Sequence, residues 1–169
     1  MTSIHSTNSR NITIAIYPNA KGFGYAVIEH PVLFLDYGIA SVRPVNNHTI
    51  LKRVIQMIGF YKPTNIIVPD YKGKYSKKGD RVKNLIHTIV DYSTDQEVQC
   101  YHYSREQIRD VFQQFGAVSK YEIATKIIDW FSELESRMPK YRKPWMAEDY
   151  NMGMFDAISL ILTHRYLRD

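Results

Sequence analysis

The apolar positions of the chain change their spacing several times, and each change marks an element. Asn11 to Ile16 reads N-I-T-I-A-I, with isoleucines alternating with small or polar residues at the two-residue period of a strand. Tyr17 to Gly22 then gathers Pro18, Asn19 and Gly22, which are turn residues. Phe23 to Glu29 and Val32 to Arg43 read as a second and a third strand. Their connections are too short for a crossover helix, which predicts an antiparallel meander. From Asn47 to Phe60 the spacing becomes helical: Ile50, Val54, Ile55 and Ile58 share a face, and Asn47 or Thr49 serves as cap. Pro63 interrupts the chain, and Asn65 to Val68 (N-I-I-V) is apolar throughout, as a central strand covered on both faces should be.

Arg81 to Tyr92 reads as a helix with Val82, Leu85, Ile86, Ile89 and Val90 inward, and Val98 to Tyr103 as a strand. Ser104 to Phe115 opens on a cap-like S-R-E-Q and is helical. Ser119 to Leu134 is helical on a stripe of Ile123, Ile127, Ile128, Phe131 and Leu134, and Phe155 to Tyr166 is a last, largely apolar helix. Three meandering strands, then two strands alternating with helices, predict an α/β fold with a mixed five-stranded sheet and helices on both faces. This order resembles that of RNase H-like nucleases. Residues 1–11 are expected to be a flexible polar arm, and 12–169 a single domain without internal repeats.

Composition narrows the classes. A chain of 169 residues with 44% apolar content buries a core unaided. Its one cysteine, Cys100, excludes an intrachain disulfide and a multi-cysteine zinc site, and it fits a reducing compartment. Cys100 lies in an apolar strand and is expected in the core. No apolar run reaches the roughly 20 residues of a membrane helix, and Met1 to Asn11 lacks the apolar centre of a secretory signal. The expected location is intracellular, cytoplasmic or wherever DNA is held. A net charge of +5 and a pI near 9.2 suit a polyanionic partner.

Four blocks carry a more specific likeness. Ile16 to Ile28 reads I-Y-P-N-A-K-G-F-G-Y-A-V-I, Pro63 to Asp70 reads P-T-N-I-I-V-P-D, Gln107 to Ile127 contains Q-F-G-A-V-S-K-Y-E-I, and Gly153 to His164 reads G-M-F-D-A-I-S-L-I-L-T-H. In this order they resemble the motifs of RuvC-type Holliday junction resolvases, and they cover most of the chain from Ile12 onward. The resemblance implies a RuvC-like, RNase H-like fold and a homodimer. It also implies an activity in which four carboxylates hold two Mg²⁺ ions across the scissile phosphate. Hard Mg²⁺ takes oxygen ligands, and two ions activate a water and stabilise the leaving oxygen.

The ligand positions are where this chain departs. The first holds Tyr17, the second Pro69 and the third Gly153; the fourth, Asp156, keeps its carboxylate. A phenol with an ordinary pKa near 10 is a poor Mg²⁺ ligand at neutral pH, and proline and glycine offer none. The expectation is a degenerate site with no cofactor. The alternative is a relocated Mg²⁺ site with Asp156 and Asp70 as catalytic carboxylates and Glu148 or Asp149 as further ligands. Asp70 lies one residue past the second position, which on a continuing strand turns it to the opposite face.

Two segments suit nucleic acid. Tyr71 to Lys83 carries Lys72, Lys74, Lys77, Lys78, Arg81 and Lys83, with Tyr75 among them. It follows the central strand at the sheet edge where α/β folds bind ligands. Cations there suit phosphates and a tyrosine suits an unpaired base. Met138 to Trp145 (M-P-K-Y-R-K-P-W) is a second basic and aromatic stretch with Arg142 and Lys143, and Trp145 is expected to pack on the core. Lys120 matches the lysine with which the resolvases help hold DNA. His164 matches a terminal-helix histidine and is expected to pack. Ile86 and Ile89 are candidates for a dimer face.

Three functions fit these residues. The first is a catalytically degenerate RuvC-like protein that binds branched or duplex DNA or scaffolds DNA-processing proteins. The second is an active metal-dependent junction endonuclease with a relocated site. The third is a protein-interaction module that has lost DNA.

Overall fold

The computed structural model describes residues 10–72 and 78–168. Residues 1–9 of the expected arm, and Lys74, Tyr75 and Lys77 of the basic loop, lie outside them. Five strands, β1 (Ile12–Asn19), β2 (Gly22–Glu29), β3 (Leu33–Ser41), β4 (Asn65–Pro69) and β5 (Gln99–Tyr103), form one sheet in the order β3-β2-β1-β4-β5. The first three are antiparallel, and β4 and β5 run parallel to β1. The helices are α1 (Asn47–Tyr61), α2 (Asp80–Asp95), α3 (Arg105–Gln113), α4 (Lys120–Trp130) and α5 (Met152–Arg168), with a 3-10 turn at Ser132–Arg137 between the last two. Among the described residues no helix is long and apolar enough to cross a membrane.

Side chains alternate across the sheet and divide the core in two. Ile12, Ile14 and Ile16 of β1, with Ile66 and Val68 of β4, pack against α1 and α2. Ala15, Tyr17 and Ile67 face α3, α4 and α5. Helix α5 is buried continuously from Met152 to Ile161, as its nearly uninterrupted apolar sequence requires. It lies very close to the sheet because Gly24 of β2 has no side chain. A Cβ there would stand 1.9 Å from the Gly153 carbonyl oxygen.

Four expectations need correction. Strand β1 runs through Tyr17-Pro18-Asn19 instead of turning, with Pro18 opposite Phe23. Its ladder to β4 ends at Ala15, so from there one flank of β1 has no partner strand, the setting that tolerates proline. The helix expected over Ser119 to Leu134 is broken after Trp130. The last helix begins at Met152, three residues early. Ile86 and Ile89 are both 0% exposed, so they belong to the core beneath α2 and cannot form a dimer face. At the start of the described residues Arg10 pairs with Glu29 at 2.7 Å, and the Asn11 carbonyl accepts a backbone bond from His30.

Candidate functional site

Two serines set the geometry of the site. Ser104 and Ser119 each accept a bond from the backbone three residues on, and Gln107 and Glu122 reach back to the serine N–H, closing a capping box at the start of α3 and of α4. The residue after each cap is a cation in the first helical position, Arg105 and Lys120. A positive charge there opposes the helix dipole, so both need an anion. Both find Asp156, a 4% exposed carboxylate one turn beyond Gly153 in α5. Lys120 Nζ donates to Asp156 Oδ2 at 3.1 Å and to Glu148 Oε1 at 2.8 Å. Arg105 Nη1 lies 3.9 Å from Asp156 Oδ1.

Tyr17 forms the floor. It is 8% exposed, and two ammonium groups face its ring, Lys78 Nζ at 4.4 Å and Lys120 Nζ at 5.6 Å from the centroid. Both lie in cation–π range. Burial, reinforced by the Asp156 charge, pushes the Tyr17 phenol up to about 12 against the opposing pull of Lys120 and Arg105, so it stays neutral. Burial pulls Lys78 down to about 8, with Asp156 opposing and Lys120 and Arg105 adding to the effect. Burial also works against the charge of Lys120, but Asp156, Tyr17 and Glu148 together outweigh it and hold the ammonium above its ordinary value. Burial raises the Asp156 carboxyl, and the two cations offset only part of that.

These residues do not fit a pair of divalent ions. Pro69 is buried at the end of β4, and Gly153 packs against Gly24, so neither supplies a donor. The two carboxylates that do approach, Asp156 and Glu148, are already bridged by an ammonium. Among the described residues no three His, Cys, Asp or Glu side chains converge as a metal site.

The other candidates fall in different places. Asp70 accepts the Lys72 N–H at 2.9 Å and lines a cleft of about 330 Å³ with His87, Asp91 and His102, apart from Asp156. Asp149 accepts the Asn151 N–H at 3.0 Å and lies 3.8 Å from Arg142. The relocated set of Asp156, Asp70, Asp149 and Glu148 is therefore not assembled: only Glu148 reaches Asp156, through Lys120. Arg81, expected at phosphates, is engaged inside the fold. It donates to the Asn19 carbonyl at 2.7 Å and to Asn47 Oδ1 at 3.0 Å. Lys83 is half-buried, while Lys72, Arg142 and Lys143 are exposed. Trp145 is 78% exposed rather than packed on the core. Cys100 is half-buried, its thiol raised by burial, and His164 shares a hydrogen bond with Tyr103 at 2.7 Å.

Arg105 is the member of the cluster that no sequence motif marks out. Its one signal is shared with Lys120: a cation directly after a capping serine, where the dipole disfavours it. Lys78 reads in sequence as one cation among six, and the structure sets it over the Tyr17 ring.

No protein-family model matches the chain, and no curated protein matches it in sequence. Solved structures do match. The Thermus thermophilus RuvC structure superposes with a TM-score of 0.64 at 14% identity, over 92% of this chain and 93% of that one. T. thermophilus RuvC in complex with Holliday junction substrate gives 0.63 at 13% identity, over the same shares. At these identities the likeness is one of fold: the chain has the RuvC-like, RNase H-like α/β architecture.

Proposed function

We propose that this chain binds branched or duplex DNA on a resolvase-type fold and does not cut it. The observation that carries the reading is the Lys120 ammonium between Asp156 and Glu148. A cation belonging to the chain stands among the carboxylates, and the remaining donor set is too poor for the two ions that hydrolysis of a phosphodiester on this fold employs. Three cations, Lys78, Lys120 and Arg105, gather around two carboxylates, which leaves the centre net positive. Lys72, Arg142 and Lys143 are exposed, Arg142 with Asp149 as its neighbour at 3.8 Å, and they extend that field over the surface. Such a surface attracts the phosphate backbone whatever its sequence. The fold likeness to a RuvC solved with Holliday junction substrate supports the choice of branched DNA.

The test is a four-way junction and a matched duplex, titrated at low salt in millimolar Mg²⁺, in Mn²⁺ and in chelator. Binding should persist in all three, without a requirement for divalent ions, and a denaturing gel should show intact strands. Cleavage that disappears in Asp156→Asn would overturn the reading in favour of a working nuclease. Absence of binding to either DNA would remove nucleic acid from the account.

A further inference from the structure

We infer that the segment joining the 3-10 turn to α5 is a stacking surface for the bases of an unpaired nucleic-acid strand. The inference rests on the nucleic-acid reading above and adds to it the class of strand and the residues that hold it.

The segment leaves more apolar surface in water than its own folding explains. Tyr141 is 67%, Trp145 78%, Met146 44% and Tyr150 51% exposed, all within ten residues. Large apolar side chains gathered on one exposed segment mark an interaction site rather than the ordinary scatter of single surface residues. The backbone holds them there. Met146 N–H donates to the Lys143 carbonyl at 2.9 Å, closing a four-residue turn with Pro144 and Trp145 at its tip. Proline in the second place of such a turn is pre-set for it. Pro139 is buried at one end, and at the other Tyr150 shares a hydrogen bond of 3.1 Å with Ser41. Trp145 is thus displayed on an anchored turn.

Charge selects the partner. Lys140, Arg142 and Lys143 alternate with the aromatics, and Lys143 Nζ lies 5.2 Å from the Trp145 ring centroid. A protein partner of ordinary composition would have to desolvate these cations, whereas a single strand offers a phosphate for each cation and a π-face for each ring. Position agrees. The Tyr141 ring packs edge-on against Tyr121 at 5.2 Å, and Tyr121 follows Lys120. The stacking surface therefore adjoins the cationic centre at Asp156. A strand whose phosphates sit at that centre passes Tyr141, and Trp145 lies four residues on in the same segment.

Two oligomers of equal charge separate stacking from electrostatics: a short oligothymidylate and an abasic backbone of the same length. Duplex is titrated in parallel. The chain has two tryptophans, Trp130 and Trp145, so a Trp130→Phe background isolates the emission of Trp145. Oligothymidylate should quench that emission and bind about tenfold more tightly than the abasic backbone. Trp145→Ala should abolish the preference without changing the salt dependence, and Trp145→Phe should retain it. Lys143→Ala should keep the preference and make the salt slope shallower by about 0.7. Equal affinity for the two oligomers, or a preference that survives Trp145→Ala, overturns the inference. If duplex still binds in that case, the nucleic-acid reading stands without it. If neither oligomer nor duplex binds, both fall.

Discussion

Removing the Lys120 ammonium tests the electrostatic centre most directly. In Lys120→Met the stem is replaced by apolar atoms of similar length, and Asp156 keeps Arg105, 3.9 Å away, as its ion-pair partner, with the charge of Lys78 acting from farther off. Breaking a fully buried pair costs about 3–5 kcal/mol. Here the Asp156 side chain is 5% exposed and that of Lys120 29%, and Arg105 and Lys78 remain, so the loss should be nearer about 2–3 kcal/mol. The loss of Glu148 as a partner adds little, since its side chain is 59% exposed. The sign of the pH dependence follows from Asp156. Its carboxyl is already raised in the fold, and without Lys120 it rises further. A carboxyl that protonates more readily in the folded than in the unfolded chain lowers stability at high pH and returns it as pH falls through the folded value. The deficit of Lys120→Met should therefore be largest near pH 8 and shrink in acid. Urea unfolding at several pH values reads it, with an unchanged dependence on denaturant as the check that the fold is intact. Adding Asp156→Asn should recover about 1–2 kcal/mol, because the two sites are coupled. A loss below about 0.5 kcal/mol that is indifferent to pH would refute the ion-pair account.

Three further outcomes follow from the same geometry. Arg81→Ala removes two hydrogen bonds that tie α2 to β1 and α1, so its urea midpoint should drop by the equivalent of about 1–2 kcal/mol, while Lys72→Ala stays within about 0.5 kcal/mol. Gly24→Ala places a Cβ 1.9 Å from the Gly153 carbonyl oxygen, forces α5 off the sheet and should cost about 3 kcal/mol or more in the same assay. The lowered value of Lys78, about 8 against an ordinary 10.5, means that the fold sheds this proton before the unfolded chain does. Stability should rise with pH between those values while junction affinity falls through pH 8, and Lys78→Met should flatten both trends in a buffer series.

The fold is legible wherever spacing alone decides it. Alternation in Asn11 to Ile16 and the apolar run Asn65 to Val68 give the centre of the sheet, because a strand has two faces and both are buried there. The serine caps give the starts of α3 and α4, because capping is local chemistry. Pro18 misleads because its tolerance depends on where the β4 ladder ends, a tertiary fact. Trp145 misleads because burial is the default for tryptophan, and a turn held at both ends overrides it. That Tyr17, Pro69 and Gly153 bring no carboxylate is plain in the sequence. The cluster around Asp156 is not: Arg105, Lys78 and Lys120 stand 15 to 42 residues apart in sequence, and α5 brings them together by presenting one buried carboxylate.

The ammonium of Lys120 also changes how the centre relates to its surroundings. A bound metal ion exchanges with the medium, so its occupancy follows supply, competition and chelation. An ammonium on a four-carbon tether stays beside its partner for as long as the chain is folded. Its concentration at Asp156 is set by the docking of α4 on α5 rather than by supply from the medium. In the proposed reading the centre is then a fixture of the fold. The control it retains runs through protons, at Lys78, and through whatever displaces Glu148 from the outer side of the bridge.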